Sequence, residues 1–313
     1  MAEKSNFKTS VGGQAVMEGI MMMGPAKWCL AVRTPGGEIV TEEHETKKRA
    51  AWTKIPLVRG VFSFVNSMLT GYKTLMRSAE LALTEEEKEQ DLSKFDRWLN
   101  EKFGEKATGV VMAASSVLGI ALALVLFLFL PTFLVSLFNT YLYPLGNFST
   151  LAEGVLKIAL FVGYLALVRR SKEIKRVFSY HGAEHKTIFC YEAGKPLTVE
   201  NIRRQTRFHP RCGTSFVLIV LIISILLNSI LPWGQGILLR VGLKLLMLPL
   251  VMGFSYEIIR LAGRYDNIVT RIVSAPGLWL QRLTTSEPDD SMIEVAIAAV
   301  GPVLPQSPDD AKW

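Results

Sequence analysis

The sequence predicts a polytopic α-helical membrane protein with about four transmembrane helices and a small cytoplasmic α+β unit at its N-terminal end. Three observations carry that prediction. Half of the 313 residues are hydrophobic, mean hydropathy is +0.28, and the apolar residues gather into long runs with little charge. The formal charge is nevertheless +7, and Lys and Arg fall in blocks between those runs. The N-terminal hundred residues instead carry short alternating patterns broken by Gly and Pro, the pattern of strands and turns. A nucleic-acid binder is also basic but has no use for long uncharged apolar runs, so no nucleic-acid partner is expected.

The elements follow in order. MAEKSNFKTSVGG has no apolar core and does not read as a secretory signal, so targeting falls to the internal spans. GGQAVMEGIMMMGP has Gly at both ends and an apolar middle, which predicts a strand or strand–loop. WCLAVRTPGGEIVTEE predicts a hairpin turning at Pro35-Gly36-Gly37. Residues 55–83 predict an apolar-rich amphipathic helix punctuated by Arg59, Lys73 and Arg77. It suits either the inner membrane surface or a seat against the β unit. The charged stretch over 84–106 reads as a solvated helical linker. Residues 1–107 form the first region.

About 20 apolar residues cross a bilayer. Residues 108–137 contain no charge and span with some to spare, Pro131 kinking the helix or marking its outer end. Residues 151–168 form the second span, with Glu153 and Lys157 near one end, and 108–168 is the first transmembrane hairpin. Residues 216–233 and 237–259 form the second hairpin, within 214–262. Arg240 and Lys244 lie near the start of its last span, where long side chains snorkel to the headgroups. Residues 263–313 are a C-terminal segment holding a short apolar piece and a helix over 292–300. Ser286 to Asp290 supply its cap, and disorder is expected from Gly301.

Positive charge sets the orientation. Residues 1–107 carry 16 Lys or Arg and residues 169–213 carry 11, whereas the connections 139–152 and 234–239 carry none. Basic segments stay inside, so both termini and the 169–213 loop are expected in the cytoplasm of a cell whose plasma membrane holds the spans. Three cysteines, Cys29, Cys190 and Cys212, are too few for a disulfide framework and suit a reducing compartment.

The basic loop carries the chemistry. His181, Glu184 and His185 spell H-x-x-E-H, the inverted form of a zinc-peptidase signature. Two His four apart on a helix share a face and can grip one ion. His209 and Cys212 follow 24 and 27 residues after His185. Three of the four His in the chain therefore fall between 181 and 212. These residues predict a divalent metal, most simply zinc, held by His181 and His185 with His209 or Cys212 completing the set. Glu184 then stands beside the face as a general base. The bland alternative is interfacial polar residues with no ion. If an ion is bound, four N and S donors favour a closed structural site, and Glu184 favours a catalytic one; the residues leave both open. Cys190, Glu192, Glu200 and Glu257 are nearby spares. Arg203, Arg204, Arg207 and Arg211 are read as the ordinary cost of a cytoplasmic loop, Glu18 as a residue within reach of a site, and His44 as a solvated strand residue.

Two functions result. One is a membrane-embedded metal-dependent hydrolase acting at the cytoplasmic face on an unknown peptide or lipid-linked substrate. The other is a non-enzymatic scaffold or assembly factor whose zinc pins the loop to the N-terminal unit. A transporter is disfavoured by the few charges within the spans and the lack of a repeat.

Three strings, GGQAVMEGIMMMGP, YHGAEHKTIFCYEAGKPLTVENIRRQTRFHPRCGTSF and PGLWLQRLTTSEPDDSMIEVAIAA, stand in this order. With them the chain resembles the YqhQ-like bacterial membrane proteins from about Gly12 to Ala299. The resemblance implies a metal-dependent enzyme, a label that points to the same His181, Glu184, His185, His209 and Cys212. Members of that family read Met-Arg-Gly-Pro where this chain has Met23-Gly24-Pro25, so a role for an Arg there does not carry over.

Overall fold

Four antiparallel strands form one sheet in the order β1 (Gly12–Val16), β2 (Gly19–Met23), β3 (Lys27–Arg33) and β4 (Ile39–Glu45). The computed structural model describes residues 8–46, 53, 55–84, 105–233, 236–265 and 267–305. The helices are α1 (Val58–Ala82), α2 (Glu105–Leu124), α3 (Leu130–Tyr141), α4 (Ser149–Val168), α5 (Lys172–Glu192), α6 (Val199–Arg203), α7 (Gly213–Asn228), α8 (Ile237–Arg264), α9 (Ile268–Thr284) and α10 (Asp290–Val300). The chain divides into two units. One comprises Met1–Ala82, Tyr164–Ile223 and Pro249–Trp313; the other comprises Leu83–Gly163 and Ser224–Leu248.

In the first unit the sheet is buried on both faces. Strand side chains alternate, so Ile20, Met22, Cys29 and Ala31 share one face. They pack against Tyr180, Ala183 and Ile188 of α5 and Met292, Ile293, Val295, Ala296 and Ala299 of α10. Val16, Met21, Leu30 and Val32 take the other face, with Leu81 and Ala82 of α1 against them. The expected hairpin is β3–β4, with Arg33 paired to Ile39 across the Pro35-Gly36-Gly37 turn. The GGQAVMEGIMMMGP stretch is two strands, β1 and β2, joined through Met17 and Glu18. Glu18 adopts a left-handed conformation (φ 47°). Its carboxylate accepts both Arg176 nitrogens and the Tyr180 hydroxyl, so it clamps sheet to helix rather than reaching the site described below. His44 is an exposed residue of β4, as expected, and its ring stacks on Trp28 at a centroid distance of 4.1 Å.

The 169–213 region is mostly helix. Ser171 caps α5 by accepting from the Ile174 amide, and Asp289 caps α10 by accepting from Met292. The C-terminal segment thus contributes core to the sheet, which short-range patterning did not announce. Gly301–Val303 is a 3₁₀ turn where disorder was expected, and residues from 306 onward lie outside the described residues, as does nearly all of the charged linker.

Among the described residues, three helical segments are long and apolar enough to cross a membrane: Ala114–Tyr141, Gly146–Val168 and Ile237–Ala262. The expected span at 216–233 is the apolar helix α7, whose 16 residues reach only about 24 Å at 1.5 Å each. Pro131 does not end its helix. A π turn over Val125–Phe129 precedes it and lets the chain continue into α3, because the wider turn accommodates the ring and the missing N–H.

Arg240 and Lys244 do not snorkel outward. In the second unit both are buried with Glu153 and Lys157, three cations around one carboxylate. Lys244 donates to Glu153 and, at 2.7 Å, to the Thr132 hydroxyl. Arg240 stacks on Trp233 at 3.7 Å and donates to the Leu231 and Pro232 carbonyls at 3.0 and 2.8 Å. A carboxylate within reach outweighs snorkelling, since a paired charge in an apolar setting avoids the desolvation cost of a lone one.

Candidate functional site

Helix α5 places His181 and His185 one turn apart on the face that looks away from the sheet core. Their ring centroids are 4.4 Å apart. Cys212 arrives from the chain just before α7. The nitrogens of both His and the Cys212 sulfur all lie within 4.8 Å of one another. The ring tautomers are set from outside. Nδ1 of His181 lies 2.9 Å from the Thr284 carbonyl, and Nδ1 of His185 lies 2.5 Å from the Arg207 carbonyl. Carbonyls only accept, so each Nδ1 carries a proton and each Nε2 faces the cluster. Nε2 of His181 is 3.1 Å from the Cys212 sulfur. Nε2 of His185 is buried and has no hydrogen-bond partner among the described residues. Buried polar atoms are rarely left unpaired.

Zinc bonds of about 2.0–2.3 Å put tetrahedral ligand atoms roughly 3.4–3.8 Å apart. The donor set is thus near the required spacing, and the backbone carbonyls behind both imidazoles are the outer support that metal-binding His needs. The residues fit a soft-to-borderline divalent ion.

Glu184 is buried, lies beside the cluster and accepts a hydrogen bond from the Gly13 amide. Gly13 is required there: a Cβ would stand 2.6 Å from the Met21 carbonyl and 3.2 Å from the Glu184 carboxyl carbon. Burial raises the Glu184 pKa, with the neighbouring His185 and His181 charges opposing it. Burial also raises a thiol, but His185 and His181 outweigh it and hold Cys212 well below the ordinary thiol range. The amide of Thr214, in the first turn of α7, points at the sulfur at 3.4 Å and favours the anion further. Burial pushes His181 down, yet the Cys212 anion lifts it to about 9. The two opposite shifts favour an imidazolium–thiolate pairing of His181 with Cys212.

His209 is adjacent but turned elsewhere. Its ring centroid is 5.5 Å from that of His185. Its Nδ1 accepts from the Arg211 amide at 3.3 Å, and its Nε2 lies 3.9 Å from Glu192. Burial lowers its pKa to about 4. Three of the four expected ligands converge, and the fourth borders them. The spares do not join: Cys190 sits in the sheet core, Glu192 holds Arg211 and the Thr9 amide, Glu200 pairs with Arg204, and Glu257 pairs with Arg59. The loop arginines are likewise engaged, Arg203 with Asp290 and Arg207 with Glu287.

Sequence patterns missed Gln281 and Thr284 of α9. The Gln281 side chain clamps the His209 backbone through two 2.7 Å bonds, and Thr284 orients His181. A lone Gln on the buried face of an apolar helix was the only trace of it. A cavity of about 400 Å³ opens beside the donors, lined by Gly13, Gln14, Ser67, Glu184, Arg211 and Thr214 among others.

Convergent donors and one buried carboxylate beside a cavity, in a chain with three described helices long and apolar enough to cross a membrane, define a class of helical protein suited to a membrane. Within that class, the chain belongs to the family described as protein of unknown function DUF1385, whose model matches residues 55–306. It is 33% identical to the uncharacterized protein YqhQ of Bacillus subtilis (strain 168) over 310 residues, covering 96% of this chain and 94% of that one. No solved structure matches.

Proposed function

We propose that this protein is a metal-dependent hydrolase of the bacterial plasma membrane, with His181, His185 and Cys212 holding a divalent ion, zinc by donor chemistry. The observation that carries the reading is the pair of imidazoles whose Nδ1 atoms are committed to backbone carbonyls. This leaves two Nε2 atoms, one of them unpartnered, turned toward a sulfur. Such an ion supplies a Lewis acid and acidifies a coordinated water. Three protein donors leave a position free, as catalytic sites do. Glu184, its carboxyl raised by burial, suits a group that takes up a proton and returns it. Arg211 and the Gly13 edge of β1 line the adjoining cavity, where a peptide or lipid-linked substrate is accommodated.

The topology belongs to the same proposal. Helix α7 acts as a fourth span with the residues that follow it, both termini lie in the cytoplasm, and the site opens on that side. The second reading, a scaffold with a closed structural zinc, is favoured by the nearness of His209, whose rotation would supply a fourth donor. Purified protein distinguishes the two. Glu184→Gln is expected to keep its metal and abolish function in cells; if that variant complements fully, the catalytic role is lost and the scaffold stands. Stoichiometric metal absent from the wild type sinks both.

A further inference from the structure

Two helices of the first unit are inverted in their polarity. Helix α1 turns Gly60, Gly71, Thr74 and Ser78 inward. Its outward face carries Val58, Phe62, Val65, Leu69 and Tyr72, spaced at three and four residues, with Met68 and Leu75 beside them; Met68 and Leu69 are 60% and 59% exposed. Helix α9 repeats the arrangement. Ser274, Gly277, Gln281 and Thr284 face in, and Ile268, Val269, Ile272 and Trp279 face out, Ile268 at 75% exposure. In water this is the wrong way round, because burial of large apolar side chains is what holds a helix down.

Both helices dock by their small faces onto the apolar helices. Gly60 sits against Gly253 and Tyr256 of α8, and Gly277 against Ser215 of α7. The adjoining part of α8 itself exposes Leu250, Phe254 and Leu261, so the apolar surface of a candidate span continues onto α1. Residues 260–282 carry Arg260, Arg264, Arg271 and Arg282 against the single acid Asp266. We propose that α1 and α9 form one membrane-seating surface, whose partner is the headgroup layer and outer acyl region of an anionic bilayer.

The site hangs on these same helices. Ser67 of α1 lines the cavity, Thr284 of α9 orients His181, and Gln281 holds His209. A helix is about 10 Å across, so the cavity stands one helix thickness from lipid. A substrate entering past Ser67 then comes from the membrane surface. That last step rests on the hydrolase reading; the membrane seat does not.

The test uses the full chain in nanodiscs of phosphatidylglycerol and phosphatidylcholine. Nitroxides are attached at Leu69→Cys, Tyr72→Cys, Ile272→Cys and, as the polar control, Glu38→Cys in the exposed β3–β4 turn. The native cysteines are buried, and unsubstituted protein gives the labelling background. Oxygen collisions relative to those of a water-soluble nickel chelate are expected to be several-fold higher at 69, 72 and 272 than at 38. Nickel access at 69 and 272 equal to that at 38 overturns the proposal. So does spin–spin broadening there that unlabelled protein removes, since a second copy would then be the occupant. A photo-crosslinking benzoylphenylalanine at Ser67 is expected to give a lipid adduct by intact mass; its absence with lipid-facing labels removes only the substrate statement. Metal content measured on the same samples reports separately on the hydrolase reading.

Discussion

Replacing Cys212 by Ser takes the only sulfur from a set of three donors that lie within 4.8 Å. A structural zinc in a small domain is worth roughly 10–16 kcal/mol for four ligands, so one ligand carries about 2.5–4 kcal/mol, or roughly 10²–10³-fold in affinity. Serine keeps the size but is a poor anion at neutral pH, so most of that loss is expected. His185→Ala is expected to fall in the same range, because its Nε2 has no other partner to release. His209→Ala is expected to lose at most about tenfold, the low end of what a supporting outer-shell group contributes, since its nitrogens are turned to Arg211 and Glu192. The assay is competition with a chromophoric zinc chelator on purified protein in detergent, with Cys190→Ser as the control from the sheet core. Affinity of Cys212→Ser within threefold of the wild type refutes the ligand assignment, and so does a His209 loss equal to that of His185.

Four further outcomes follow from the same geometry. In metal-stripped protein the depressed Cys212 pKa favours the thiolate as pH falls, so its alkylation rate is expected to fall less steeply with pH than that of an ordinary thiol. An ordinary thiol drops about tenfold per unit below its pKa of about 8.5, and Cys212 doing the same contradicts the pairing with His181. Because His181 stays protonated up to about pH 9 without an ion, metal binding there releases a proton, and zinc affinity is expected to rise between pH 6 and 8.5; a flat profile counts against that. Glu153→Gln strips from Lys244 and Arg240 the one carboxylate paired with them among the described residues and is expected to cost about 3–5 kcal/mol, seen as a large fall in thermal midpoint in detergent. Gly182→Ala puts a Cβ 2.1 Å from the Ser286 carbonyl, so α5 and the segment before α10 must part, at a cost of about 1–3 kcal/mol by the same thermal scan.

Local patterns are legible in a sequence when the physics acting on them is local. The apolar runs at 108–137, 151–168 and 237–259 announced the three long apolar helices because length and hydropathy alone decide whether a helix suits a bilayer. The β3–β4 hairpin was legible because Pro35-Gly36-Gly37 sets its own turn. His181 and His185 were legible as a pair because a helix repeats every 3.6 residues, and Cys212, one of the two residues offered as a third donor, lies with them.

What lay beyond reach depended on contacts between distant parts of the chain. The gathering of Arg240 and Lys244 on Glu153 needs two helices whose separation in sequence is about 90 residues. The setting of His209 depends on Glu192 beside its ring and on Gln281 against its backbone, both remote from it in sequence. Sequence by itself determined which side chains this protein owns and which helix faces they share. Only tertiary structure decided which nitrogens were tied to carbonyls and which were left facing a sulfur, because a hydrogen bond is a matter of direction in space and sequence spacing carries none.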